Sequence, residues 1–262
     1  MRVTFLGTGS AMPTGERFQT GLLVESGGNR LLVDCGSGAL HGLQRTAVGY
    51  EGVDAVLLTH HHLDHVSDLM ALCKARWLAG ATDLTIAGPP GTRELVDDLF
   101  DVHEYLQDRL DLTVREVEPG VFDLAGISVA ATETRHSAYC LAYRFEGATA
   151  DPADETSDGG DPPAFVFSGD TEAFEELIDF ADGAAVLAHD CSFPDSVDVS
   201  NHPTPRSLGR VLGAAEGSVG RVYLTHLYPH TDGEHESMLD SIADHYDGDV
   251  RFARDGLSVD ID

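Results

Sequence analysis

Residues 56–70 read VLLTHHHLDHVSDLM, and nine of them, 60–68, hold four histidines and two aspartates. The segment before them, DAVLLT (54–59), is a continuous apolar run of the kind expected in a strand buried on both faces. His60 and His62 are two apart, so in an extended chain leaving that strand they project to one side and His61 to the other. Val66, Leu69, Met70, Cys73 and Trp77 then recur at helical spacing, which turns the chain into a helix near Asp64 and His65. That geometry suits two adjacent metal ions, His60 and His62 on one, Asp64 and His65 on the other. Imidazole and carboxylate are ligand types that zinc accepts.

Two ions need further ligands, and the ends of other strands are where to look. His136 closes VAATETRH (129–136), Asp170 closes AFVFSGD (164–170), and His226 closes RVYLTH (221–226). Each follows an apolar, strand-like run and precedes a turn or polar stretch. A lone histidine in such a place is more often a packing or capping residue. Three strand ends alike, beside the local cluster, reverse that expectation.

Around these residues strand-like and helix-like patterns alternate. RVTFLG (2–7), GLLVES (21–26), RLLVDC (30–35), LTIAG (84–88), ISVAATET (127–134), LAYRFEG (141–147) and AFVFSG (164–169) read as strands, as do RVYLTH and the closing VRFARDG and LSVDI. Helices are expected over 38–48, 92–106, 172–181, 205–215 and 236–246, with Thr204 as N-cap before Pro205. The alternation points to a layered α/β fold in one domain, residues 1–262. The acidic run 148–163, ATADPADETSDGGDPP, lies between two strands and reads as a solvated hairpin insertion.

Forty-five acidic residues stand against 16 basic ones, a formal charge of −29, and Lys74 is the single lysine. The acids are spread along the chain, which suggests a halophilic surface adapted to concentrated salt more than an attraction to a cationic partner. No apolar run reaches the roughly 18 residues of a membrane helix. The start MRVTFLGTG lacks the core and cleavage site of a signal peptide, so no membrane role and a cytoplasmic location are expected. Cys35, Cys73, Cys140 and Cys191 form no C-x-x-C pair and read as reduced thiols.

The run THHHLDH carries the H-x-H-x-D-H pattern of the metallo-β-lactamase fold superfamily. With FLGTGSAMPTGERFQTGLLVE, LLVDCGSG, IAGPPGT, FSGDT and LTH, the chain resembles the ribonuclease Z and arylsulfatase-like branch from Phe5 to about Tyr228. The resemblance implies an αββα sandwich with a dinuclear zinc site at one edge of the sheets, a site whose ligand types also admit manganese or iron. It implies that His60, His62 and His136 hold one ion, Asp64, His65 and His226 the other, and that Asp170 bridges them. Two ions about 3.5–4 Å apart lower the pKa of a shared water and clamp a substrate oxygen. The nucleophile is then hydroxide, and Asp64 is placed to orient it and take its proton. In ribonuclease Z a histidine backed by a glutamate protonates the leaving group; the similar positions here are His202, in NHPT, and Asp190, in AHDC. The aspartate shortens that reach by one methylene.

Other signals are weaker. GTGSAMPTG (7–15) lacks the G-K-[ST] of a phosphate loop and reads as a turn near the site; no serine-nucleophile motif appears. His41, His103, His235 and His245 lie in helical stretches, and His230 in a loop, where packing or surface roles are the ordinary case. The expected substrate is a phosphodiester, RNA or a small molecule, with a homodimer admitted. Two departures favour the arylsulfatase-like and small-phosphodiesterase relatives. The Gly/Pro-rich arm that ribonuclease Z uses on transfer RNA is replaced between residues 90 and 120 by a compact acidic helix and strand, and LYPHTD follows His226. Ester hydrolysis of an aryl sulfate is thus the alternative. A di-iron oxidoreductase is the alternative from another class, but no flavin partner domain or sulfur-substrate site is visible.

Overall fold

The computed structural model describes residues 1–147 and 163–261. Strands β1 (Arg2–Gly7), β2 (Gly21–Ser26) and β3 (Asn29–Val33) form an antiparallel meander. To β3 are added, in parallel, β4 (Ala55–Leu57), β5 (Asp83–Gly88) and β6 (Asp111–Glu116). A second sheet repeats the plan. Its meander is β7 (Gly120–Leu124), β8 (Ile127–Glu133), β9 (Leu141–Glu146) and β10 (Ala164–Phe167). Its parallel part is β11 (Val186–Asp190), β12 (Arg221–Thr225) and β13 (Asp249–Phe252). The last strand, β14 (Ser258–Asp260), returns to the first sheet beside β1.

Parallel neighbours need crossovers, and here helices supply them. They are α1 (Ala39–Leu43), α2 (Leu63–Val66), α3 (Leu69–Ala79) and α4 (Thr92–Val102) in the first half, and α5 (Glu175–Phe180), α6 (Pro205–Ala214) and α7 (His235–Ala243) in the second. Three apolar layers result. Val3, Phe5, Leu22, Phe145, Phe165 and Tyr223 fill the space between the sheets. Leu23, Leu32, Val56 and Ile86 pack with Leu43, Leu72 and Val96 of the first helices. Val166, Leu187 and Val222 pack with Ile178, Leu208 and Ile242 of the second. The order is helix, sheet, sheet, helix, the αββα sandwich expected. All three residues of β4 are buried, which accounts for the unbroken apolar run before the histidines. Among the described residues no helix is long and apolar enough to cross a membrane.

The structure departs from the expected elements in four places. The helix expected over 38–48 ends at Leu43. Thr46 Oγ1 donates to the Leu43 carbonyl and accepts from the Val48 and Gly49 amides, a local turn that competes with helix. The helix expected over 92–106 is α4 followed, after His103, by a short 3-10 turn at Glu104–Leu106. Strands β7 and β11 went unmarked. β7 is largely exposed at a sheet edge, so its alternation is faint, and β11 carries His189 and Asp190 where apolar residues would mark a strand. The expected hairpin insertion at 148–163 falls, up to residue 162, outside the described residues; Glu146 and Ala164 on either side pair antiparallel.

Candidate metal centre

In both parallel segments the strands end at one edge of the sandwich, the usual place for a site in α/β folds. His60 follows β4 by three residues, Asp64 and His65 lie in α2, and His62 directly precedes that helix. The turn is held from beneath by LLVDCGSG: Cys35 N donates to the His65 carbonyl at 2.7 Å, and a Cβ on Gly36 would collide with the carbonyl oxygen of Asp64. Asp170 follows β10, after Gly169 at φ +58, where a Cβ would meet Cys140 Sγ at 3.0 Å and the Leu141 carbonyl at 3.1 Å. His226 follows β12, and His136 sits in the loop after β8. Five non-glycine residues have positive φ among those described, and three of them, Asp34, Asn201 and His226, are at this edge. Strained backbone concentrates where side chains must be aimed.

The side chains converge. One ring nitrogen each from His60, His62 and His136 and an oxygen of Asp170 lie within 4.8 Å of one another, as do ligand atoms of Asp64, His65 and His226. The Asp170 carboxylate faces both groups. Oδ1 is 3.3 Å from His65 Nε2, and Oδ2 is 3.7 Å from His60 Nε2 and 3.3 Å from His226 Nε2. Asp64 Oδ2 is 3.1 Å from His226 Nε2. His61 turns the other way and bonds Thr92 Oγ1 at 2.8 Å.

The charge balance calls for a cation. Burial pushes the His60 ring well below the ordinary histidine range, leaving a neutral imidazole. Burial opposes ionisation of Asp170, but His226 and His65 outweigh it and hold the carboxyl well below its usual range. Burial would also discharge His65, yet Asp170 and Asp34 overcome it and hold the ring well above its usual range. A metal ion is the alternative to that proton. Buried and without hydrogen-bond partners stand His60 Nε2, His65 Nε2 and Asp170 Oδ1, all facing this cluster. Such atoms are costly unless something ligates them, and this donor set fits a metal.

Beside the cluster, His202 Nδ1 bonds Asp190 Oδ2 at 2.6 Å, so the missing methylene does not open the contact. Burial disfavours the imidazolium, but Asp190 prevails and raises His202 to about 9. His202 stacks on His226 with centroids 5.4 Å apart, and with Asp170 and His226 it forms a third group of donors able to hold a metal. Tyr228 stacks on Phe193 and sets its edge to His226 and His202. The loop 7–15 reaches the rim, where Leu227 N donates to the Thr8 carbonyl. His230 is exposed against Phe193, His235 stacks on Phe252, and His41, His103 and His245 are not among the groups that could hold a metal.

Sequence reasoning missed Asp34, Thr59 and Ser192. Asp34 is fully buried and accepts from His65 Nδ1 at 2.7 Å and from Thr59 N and Oγ1, each at 2.8 Å. The signal was there: Asp34 also ends an apolar strand, as Asp170 does.

The model of the family described as Anti-Pycsar protein Apyc1 matches residues 1–233. Ribonuclease Z of Haloferax volcanii is 30% identical over 305 aligned positions, covering 100% of this chain and 95% of that protein. Ribonuclease Z of Mycobacterium sp. strain KMS is 34% identical, covering 87% of this chain and 85% of that protein. Among solved structures, the metallo-β-lactamase fold protein YhfI from Bacillus subtilis superposes with a TM-score of 0.79 at 26% identity, over 99% of each chain.

Proposed function

This chain belongs to the Anti-Pycsar protein Apyc1 family and, with its ribonuclease Z relatives, to the metal-dependent hydrolases of the metallo-β-lactamase fold, and we propose that it is a dinuclear zinc phosphodiesterase. The observation that carries the reading is the set of buried, unpartnered ligand atoms on His60, His65 and Asp170, facing one another beside His62, His136, Asp64 and His226. In this reading His60, His62 and His136 would hold one ion and Asp64, His65 and His226 the other, with the Asp170 carboxylate facing both groups. When bound, the ions supply Lewis acidity toward a phosphoryl oxygen and a water ionisable near neutral pH.

The remaining work falls to side chains. In this reading Asp64, whose Oδ2 lies 3.1 Å from His226 Nε2, orients the attacking water and takes its proton. His202, protonated at neutral pH through Asp190, donates to the departing oxygen. Asp190 keeps Nδ1 engaged and turns Nε2 of the ring to the substrate side.

A small ester is the second reading of the substrate, and three observations favour it over RNA. The alignment with the Haloferax relative spans 305 positions against 262 residues here, so that relative carries segments this chain lacks. Between β5 and β7 the chain has only α4, a 3-10 turn and β6. A net charge of −29 also opposes a polyanionic substrate in dilute salt. The test is a panel on metal-loaded protein: bis-p-nitrophenyl phosphate, an aryl sulfate and a 3′-extended precursor transfer RNA. Phosphodiester turnover is expected. Turnover of the sulfate alone would overturn the proposal.

A further inference from the structure

We infer that the hydroxyls of Thr59 and Ser192 are positioning groups, each accepting the ring N–H of a metal-site histidine while donating its own hydrogen to a carboxylate that already holds a second histidine. The inference rests on the metal-centre reading above and concerns how the protein aims its ligand nitrogens.

Each half of the sandwich contributes one such relay. In the first, Asp34 Oδ2 accepts from His65 Nδ1 at 2.7 Å and from Thr59 Oγ1 at 2.8 Å, and Thr59 Oγ1 is 3.0 Å from His60 Nδ1. In the second, Asp190 Oδ2 accepts from His202 Nδ1 at 2.6 Å and Oδ1 from Ser192 Oγ at 2.6 Å, while Ser192 Oγ is 2.9 Å from His226 Nδ1. All members but His202 are fully buried or nearly so.

A hydroxyl has one proton to give. Ser192 faces two acceptors, Asp190 Oδ1 and the His226 carbonyl at 3.0 Å, and the shorter, charge-assisted bond to the carboxylate takes the proton. Toward His226 Nδ1 its oxygen then only accepts, so that nitrogen must carry hydrogen. The lone pair of His226 is thereby sent to Nε2, which faces Asp64 and Asp170. Thr59 does the same for His60, whose Nε2 is one of the unpartnered atoms. His65 needs no intermediary, and His136 is set by the backbone, its Nδ1 donating to the Asn201 carbonyl at 3.2 Å. His60, His136 and His226 thus reach the cluster with their tautomer chosen before any ion arrives, and in His65 the Nδ1 hydrogen is committed to Asp34, so that Nε2 is the nitrogen left for an ion. Without the hydroxyl, His226 has a better option: Nε2–H donated to Asp64, the tautomer that cannot ligate. Partners of this kind are worth about 10–100-fold in metal affinity.

The test uses zinc, titrated against a chromophoric chelator, on folded full-length protein. Thr59→Val keeps the shape and removes the hydroxyl, whereas Thr59→Ser keeps it; Ser192→Ala removes the second. Thr59→Val and Ser192→Ala are expected to bind zinc about 10–100-fold more weakly, and Thr59→Ser close to the parent. Imidazole nitrogen–proton correlations of the metal-free protein give a second readout, in which Ser192→Ala should move His226 from the Nδ1–H to the Nε2–H form. Parent-like affinity in either hydroxyl-less variant overturns that residue's role, and equal loss in Thr59→Ser and Thr59→Val overturns the hydroxyl as its cause. If the parent protein itself binds no zinc, the metal-centre reading fails and not the relay alone.

Discussion

His202 is the residue at which chemistry and structure separate most cleanly. As a proton donor it matters for a poor leaving group and scarcely for a good one. His202→Ala should slow an alkyl or ribose phosphodiester by about 10²–10⁴-fold and a nitrophenyl ester far less. Equal losses on both, with metal content intact, would remove it from the mechanism. Its pairing with Asp190 sets a pH signature. With the imidazolium held to about 9, the rate on the poor leaving group should fall as pH rises through that region. Asp190→Asn should move this limb to lower pH, with a milder loss of rate than His202→Ala, and an unmoved limb would count against the pair. The same raised pKa stabilises the fold fully below the ordinary histidine range, and that contribution goes as pH climbs through about 9. Metal content tests other single residues. Asp170→Ala should lower it and His61→Ala should leave it unchanged, since the His61 ring is committed to Thr92. At this scale the residues that converge at the edge were legible, because three strand ends alike stand beside the local cluster. Asp34 carried the same strand-end signal as Asp170, whereas Thr59 and Ser192 carried none, because a buried hydroxyl in a turn-like context looks like any cap or turn residue until its partners are known.

At the scale of elements, the site depends on what each strand or helix does at its end. The N-terminus of α6 decides an alternative account of His202, in which the ring merely caps that helix. The cap is Thr204, which accepts from Ser207 N while Ser207 Oγ receives the Thr204 amide, a reciprocal capping box. Thr204→Ala should therefore cost about 1 kcal/mol of stability, read as a lower urea midpoint, while the ratio of rates on poor and good leaving groups stays that of the parent. A changed ratio would mean that the cap and the acid are one device. The cap was readable from T-P at the helix start, as were the buried strands, whose apolar runs are long. β11 was not, because its last two residues are His189 and Asp190, and the alternation that marks a strand disappears where a strand delivers site residues. The helix expected over 38–48 failed for a local reason, the Thr46 turn, which outweighs the helical spacing around it.

For the whole molecule, two features matter: its layers and its charge. The αββα order followed from the motif's resemblance and not from periodicity, since alternation of strands and helices leaves open how two sheets pair, or that β14 crosses back to β1. The charge of −29 is legible in composition alone, and it predicts a stability that depends on salt. Self-repulsion weakens the fold in dilute buffer and is screened in concentrated salt, so the melting temperature should climb steeply between low and molar salt. A melting temperature indifferent to salt would contradict a surface adapted to such conditions. Layers, strand ends and relays all serve one claim, that the edge of the sandwich holds a pair of metal ions. Elemental analysis of protein purified without chelator tests it most directly. The account predicts about two equivalents of transition metal per chain, with zinc foremost; well under one equivalent of any transition metal would contradict it.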